Sequence, residues 1–418
     1  MLELLSSLLS AILWSPFSLC LLMAKFHVFS IRRHRPGPVE HFCSKHGVPL
    51  SHSTVTTRDG YIIKMQKLCP PPGKTSRGAV LFIHGMFESS AMSLSHGMDS
   101  LPFILQKRGF TVYLGNVRGN IYGLNHETLS PWDDEFWNFS MREHAKEDFP
   151  AMVKAILRET RHEKVSVYGT SQGALVSLMG TAKNPSLNKS LSLLVAVSPA
   201  LVLRPPTNPL VSLVFTMDET ILGERQYLSF ATFFQIFIPD FVASFVAFAA
   251  LEASGMAAKE IDRAGAREVM ASTPSGFLPT RSMRMYKDIL ERGPAFYEGG
   301  AGGECDFGKI SAPVACWMGK LDCVLDVERS VALLRDTCGG EVVRMEVLEG
   351  YGHCDMWYSK ASKREVTGDI LKVIEERGGS AVRPRLRMSP DKGKAGGAGG
   401  GRSRSRSRSK SKTRERSS

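Results

Sequence analysis

Residues 165–173 read VSVYGTSQG, and ALVSLMG continues at 174–180. A β-branched, largely apolar run stops at a Gly-Thr-Ser-Gln-Gly cluster, and a helix-compatible segment follows without a spacer. Such a junction predicts a buried strand that turns sharply into a helix, with Ser171 at the apex. Gly and Ser are also ordinary turn residues. The G-x-S-x-G pattern alone therefore leaves Ser171 as either a nucleophile or a polar loop residue, and the rest of the chain must supply its partners.

Working outward, AVLFIHG (79–85), TVYLGN (111–116), LLVAVSP (193–199) and VACWMG (314–319) are near-continuous apolar runs, and VRMEVLE (343–349) completes the series of strands. Runs of this kind predict strands buried on both faces of a sheet. Helical patterns cover Leu101–Arg108 and Met141–Thr160. HSTVTTRDGYIIKMQKL (52–68) predicts a hairpin turning at Asp59-Gly60. Strands alternating with helices give the α/β class with a mostly parallel central sheet. From about 200 to 292 the alternation lapses into an aromatic- and Met-rich block. That block predicts a helical cap, either an ordinary insertion with its own small core or a cover over an apolar substrate pocket.

The chain has 418 residues, 43% of them hydrophobic, enough for one large domain plus extensions. Its net charge of +12 is concentrated at one end. Residues 379–418 hold thirteen Lys/Arg against Asp391 and Glu415, so that stretch carries +11 of the total. Gly, Ser and Arg dominate it, and it has too little aliphatic surface to fold. It predicts a disordered basic tail from 379 to 418, with electrostatic tethering to anionic lipid or RNA as the sharper alternative. Nucleic acid is not the expected partner of the folded part, which is close to neutral.

At the other end, Leu4–Ala24 is 21 residues without a charge. As a helix it would span about 31 Å, one hydrocarbon core. Lys25, Arg32, Arg33 and Arg35 follow it, which by the positive-inside rule places the downstream domain on the cytoplasmic side. The expectation is a membrane anchor with a basic flank (1–35), at the endoplasmic reticulum or a lipid droplet. A cleaved signal, and hence a secreted or lysosomal protein, is the alternative. The folded domain is expected at 36–378, and its oligomeric state is left open. Of the eight cysteines none forms a C-x-x-C pair. Cys316 reads as a buried thiol, and a disulfide among Cys305, Cys323 and Cys338 is left open.

Three residues beyond strand ends then fall into an ordered set. Ser171 follows VSVYG, Asp322 follows VACWMGK, and His353 follows VRMEVLEGYG. The order nucleophile, acid, histidine is that of the α/β-hydrolase arrangement. Open α/β sheets place their sites beyond the carboxyl ends of strands. A serine hydroxyl needs an imidazole to take its proton, and the acid fixes the imidazole tautomer. The developing oxyanion needs fixed donors, expected from the backbone N–H groups of Gln172 and Met86. Asp326 is the rival acid but reads better as the N-cap of LDVERSVALL. Asp355 is expected to support the His353 loop, and His84 to be structural. His144 and His162 lie in charged helical stretches and are expected to be exposed.

The motifs TTRDGYIIKMQKL, HGMFESS, FILQKRGFTVYLGNVRGNIYG, LSPWDDEFWNFSMREHAKEDFPAMVKAIL, VYGTSQG, GKLDCVLD and YGHCD together resemble the acid lipase family of α/β-hydrolases. The resemblance covers about residues 36–376. It implies a serine carboxyl-ester hydrolase acting on apolar lipid esters, triacylglycerols or steryl esters, with no metal or cofactor. The family's roles fall on Ser171, Asp322 and His353 as triad, and on Met86 and Gln172 as oxyanion donors. This chain departs from the family at Thr170, where His is common, and at HGMFESS, where a Leu-Leu pair is usual. A catalytically silent lipid-binding or tethering protein on the same fold is the rival expectation.

Overall fold

The computed structural model describes residues 37–206, 249, 251–264, 279–297 and 304–381. In chain order α1 (Pro38–Lys45) leads to the hairpin β1 (Ser51–Thr56) and β2 (Tyr61–Leu68). Next come β3 (Ala79–Ile83), α2 (Leu101–Lys107), β4 (Thr111–Gly115), the short β5 (Asn125–His126) and α3 (Phe149–Thr160). The centre of the chain is β6 (Val165–Thr170), α4 (Gln172–Lys183) and β7 (Leu191–Val197). After α5 (Thr280–Arg292) the fold closes with β8 (Val314–Gly319), α6 (Val327–Thr337), β9 (Val342–Leu348) and α7 (Ser362–Arg377).

These strands form one sheet in the order β1-β2-β4-β3-β6-β7-β8-β9, with β5 on β2. The hairpin pairs antiparallel, Val55 opposite Ile63, and β2 is antiparallel to β4. From β4 through β9 every pairing on the path is parallel. Parallel neighbours need crossovers, and the helices supply them on both faces. That is why β3, β4, β6, β7 and β8 lack a polar side, whereas β9, at the sheet edge, is only half-buried and keeps Arg344 exposed. Leu81, Val167 and Cys316 enter one core, whereas Phe82, Tyr168 and Trp317 enter the core on the opposite face. Burying each such Val, Leu or Phe contributes about 1.5–3 kcal/mol relative to exposure.

Helix α3 is preceded by a π-helical turn, His144–Asp148, itself entered through a Ser140/Glu143 capping box. The turn buries Asp148, which accepts from Arg118 N and Nε at 2.9 and 2.8 Å. The Arg118 guanidinium also grips Asp59 at the hairpin tip and lies 3.9 Å from the Tyr61 ring centre. His144 faces inward on this turn, its ring 5.5 Å from that of Phe139, so the expected exposure is wrong. The charged neighbours Arg142, Lys146 and Glu147 take the outer side and leave it the inner one.

His162 is buried too, through contacts remote in sequence. Its ring nitrogens lie 3.0 Å from Ser380 O and 3.0 Å from Ser76 Oγ. Ser380 and Ala381 also pair with Lys164 and Glu163. All described residues belong to one compact unit. Cys305, Cys316, Cys323 and Cys338 are free thiols, so the disulfide left open among Cys305, Cys323 and Cys338 does not form.

Most of the expected cap, residues 207–248 and 265–278, lies outside the described residues, as do the apolar segment 4–24 and the basic tail beyond 381. Among the described residues no helix is long and apolar enough to cross a membrane.

Candidate active site

Ser171 sits between β6 and α4 with φ +47° and ψ −114°, a left-handed conformation that L-residues adopt only under constraint. The constraint is visible in its neighbours. A Cβ on Gly169 would come 2.6 Å from Ala174 Cα, and one on Gly173 would strike the carbonyl oxygens of Ile83 and His84. The two glycines let α4 start directly against β6 and β3. Ser171 N donates to Val197 O at 2.9 Å, which ties the apex to the end of β7.

Asp322 lies in the loop after β8 and is fully buried. Its Oδ1 accepts from Val324 N and Leu325 N at 2.8 and 2.9 Å, which leaves Oδ2 for His353 Nδ1 at 2.7 Å. His353 follows β9, and its Nε2 stands 3.0 Å from Ser171 Oγ. With Nδ1–H donated to the carboxylate, Nε2 is the acceptor for the serine hydroxyl. The Trp357 ring meets the imidazole edge-on at 5.5 Å. Asp355 accepts from Gly352 N, Ala258 N and Lys259 N at 2.6, 2.8 and 3.0 Å, and so pins the loop that carries His353. Asp326 caps α6 by accepting from Arg329 N at 3.1 Å, as its sequence context suggested, and takes no part in the relay.

Of the expected oxyanion donors, Gln172 directly follows the serine, and Met86 follows a glycine that packs against it. Gln172 N is the first N–H of α4 and has no intrahelical acceptor. Met86 follows β3 and Gly85, and a Cβ on Gly85 would lie 3.5 Å from Ser171 Cβ. His84 is buried and structural, with Nδ1 2.8 Å from Gly85 O and Nε2 2.9 Å from Asn120 Nδ2. Burial pulls its pKa down to about 4, so it serves as a neutral ring.

Three side chains at the site were not singled out from sequence. Tyr286 on α5 donates to the Gln172 side chain at 3.0 Å. Glu88 accepts from Gly85 N at 2.8 Å, and Trp357 lies against His353. None carries a local signal, since each acts through a contact distant in sequence or through a turn.

Residues 78–360 match the family described as alpha/beta hydrolase fold, and residues 39–97 match a partial alpha/beta-hydrolase lipase region. The chain belongs to the α/β-hydrolase fold family. Among the relatives of this α/β-hydrolase is lipase member K of Mus musculus, 28% identical over 357 residues that cover 79% of this chain and 89% of that protein. Another is gastric triacylglycerol lipase of Rattus norvegicus, 26% identical over 79% of this chain and 89% of that protein. Lysosomal acid lipase/cholesteryl ester hydrolase of Homo sapiens is 33% identical over 205 residues, 47% of this chain and 51% of that protein. The crystal structure of a soluble monoglyceride lipase variant from Saccharomyces cerevisiae, in complex with a substrate analogue, has a TM-score of 0.50. It is 16% identical, covers 78% of this chain and 97% of that one, and shows the shared fold alone. These relatives bear out the resemblance read from the motifs.

Proposed function

We propose that this α/β-hydrolase is a serine carboxyl-ester hydrolase acting on apolar lipid esters, triacylglycerol or steryl ester. The observation that carries the reading is the continuous relay from Ser171 Oγ through His353 to Asp322, with separations of 3.0 and 2.7 Å. His353 Nε2 removes the hydroxyl proton as Oγ attacks the ester carbonyl. Asp322 holds the Nδ1–H tautomer and stabilises the imidazolium. The N–H groups of Met86 and Gln172 receive the developing oxyanion, each such donor being worth about 3–4 kcal/mol. His353 then gives its proton to the leaving alcohol. In the second half His353 takes a proton from water as it attacks the Ser171 acyl-enzyme, and returns it to Ser171 Oγ as the acid leaves.

Relatives named for triacylglycerol and cholesteryl ester support the apolar substrate class. The domain plan is part of the proposal: an N-terminal anchor at 1–35, the hydrolase at 36–378 with a cap near 200–292, and a basic tail from 379. On that plan the enzyme works at a membrane or lipid-droplet surface. The gastric and lysosomal relatives favour the secreted or lysosomal alternative. The sequon at Asn138 is exposed, its Oδ1 accepting from Arg281 at the surface, whereas the Asn188 amide is buried and engaged by Lys309 O and Ser311 N. A lumenal placement therefore predicts a glycan at Asn138.

Fluorophosphonate labelling of the full chain tests the mechanism. The expected result is labelling of wild type and none of Ser171→Ala, with turnover of trioleoylglycerol or cholesteryl oleate lost in parallel. Labelling that persists in Ser171→Ala would sink the assignment.

A further inference from the structure

The turn after β3 holds a carboxylate that the proposed reaction does not use. Glu88 Oε2 accepts from Gly85 N at 2.8 Å, across the turn Gly85-Met86-Phe87-Glu88. Its Oε1 accepts from Tyr358 OH at 2.9 Å. Tyr358 ends the short helix Asp355–Tyr358 that begins two residues beyond His353, and its neighbour Trp357 packs on the His353 ring. One side chain therefore ties the Met86 turn to the segment that carries His353.

The turn needs such a tie. Phe87 has φ +58°, a conformation that a bulky residue holds only when its surroundings impose it. Gly85 packs against Ser171, so small rotations of its peptide redirect the Met86 N–H. Donors to an oxyanion act by being fixed in advance. Desolvation pushes the Glu88 carboxyl above its ordinary range, while the bonds from Gly85 and Tyr358 pull the other way. A half-buried carboxylate with both oxygens engaged is a structural tie rather than a freely solvated turn residue.

We propose that Glu88 is a positioning residue for ester hydrolysis: by holding the Gly85 N–H of the His84-Gly85 peptide, its carboxylate fixes the turn and so orients the adjoining Gly85-Met86 peptide, and with it the Met86 N–H, relative to Ser171 and the His353 loop. This rests on the ester-hydrolase reading above. Glu88 touches neither substrate nor reacting atom, and it acts through the geometry of Met86 and through Tyr358.

The test measures kcat and KM for p-nitrophenyl butyrate on the full chain as wild type, Glu88→Ala, Glu88→Gln and Tyr358→Phe. Glu88→Ala is expected to lower kcat by about 10- to 100-fold, with KM within about twofold, because a misaligned donor is lost mainly in the transition state. Glu88→Gln keeps a carbonyl for the Gly85 N–H and presents its NH2 to the phenol oxygen. It should restore kcat to within about fivefold of wild type, and Tyr358→Phe should fall between the two. A kcat for Glu88→Ala within threefold of wild type, or a Glu88→Gln variant as impaired as Glu88→Ala, overturns the proposal. Labelling of wild-type Ser171 is scored separately, so that its failure counts against the ester-hydrolase reading and not against Glu88. In that event amide exchange decides: Gly85 N–H should exchange faster in Glu88→Ala than in wild type, and unchanged exchange overturns the tie.

Discussion

Tyr286 and Gln172 lie 114 positions apart, yet the phenol of Tyr286 donates to Gln172 Oε1 at 3.0 Å inside the protein. The bond joins α5, the last helix of the expected cap, to the residue just after the strained serine. Tyr286→Phe keeps the ring and leaves the Gln172 oxygen short of a donor. A buried acceptor left in that state costs about 1–3 kcal/mol. The expected outcome is a Tm lowered by several degrees and kcat reduced a few-fold with KM nearly constant. A variant matching wild type in both would show that the bond does not steady the Gln172 N–H.

Ser171 stores backbone strain, and its removal separates stability from activity. At φ +47° a serine is held at a cost of about 1–3 kcal/mol, which glycine avoids. Part of that gain is offset by the greater freedom of glycine in the unfolded chain. Ser171→Gly is expected to be inactive and about 1 kcal/mol more stable than wild type. Ser171→Ala should be inactive with stability close to wild type, because alanine keeps the Cβ. Chemical denaturation of the three proteins checks this, and equal midpoints for the Gly and Ala variants count against stored strain.

Gly173 is required for a different reason, since its Cβ would meet two carbonyl oxygens of the β3 terminus. Backbone cannot move aside as a flexible side chain can. Gly173→Ala should destabilise by about 3 kcal/mol, at the upper end for overpacking, and lower the soluble yield. A soluble Gly173→Ala protein with an unchanged denaturation midpoint would falsify the close approach of α4 to β3.

Acid should weaken the fold through its buried histidines. Desolvation holds His84 at about 4, holds His96, buried with its Nε2 3.3 Å from Ser362 Oγ at the start of α7, at about 4 as well, and drives His144 well below its ordinary value. The unfolded chain protonates these rings below about 6.5 while the folded chain does not. Their contribution is therefore complete above that pH and is lost as pH falls toward 4. Each ring accounts for about 1.4 kcal/mol per pH unit within that window. The carboxyls of Glu88 and Asp148, raised by burial, act in the opposite sense, so the clean measurement is a difference. His96→Asn should lose less stability than wild type between pH 6.5 and 5 in urea titrations. Parallel losses in the two proteins would assign the acid response elsewhere.

The apolar runs 79–83, 111–115, 165–170, 191–197 and 314–319 were legible as buried strands because both faces of a parallel sheet are covered. That pattern is a property of composition along the chain, and it carries the fold class with it. The candidate nucleophile, acid and base were legible for a related reason. Sites in open α/β sheets gather at strand ends, so Ser171, Asp322 and His353 could be found by position and chemical type.

Burial of the histidines was not legible in this way. His144 lies among charges and His162 beside Arg161 and Glu163, yet a π-helical turn encloses the first and Ser380 covers the second. Likewise Glu88 and Tyr286 look like ordinary turn and helix residues. Their partners, Tyr358 and Gln172, are 270 and 114 positions away. Sequence by itself determined the alternation of strands and helices and the chemical types at their ends, because both are local. Only the tertiary structure decided which polar groups are desolvated and which hydrogen bonds reach the Gly85 turn and the Gln172 side chain beside Ser171. Those depend on segments far apart in the chain being brought within 3 Å, and no local pattern encodes that.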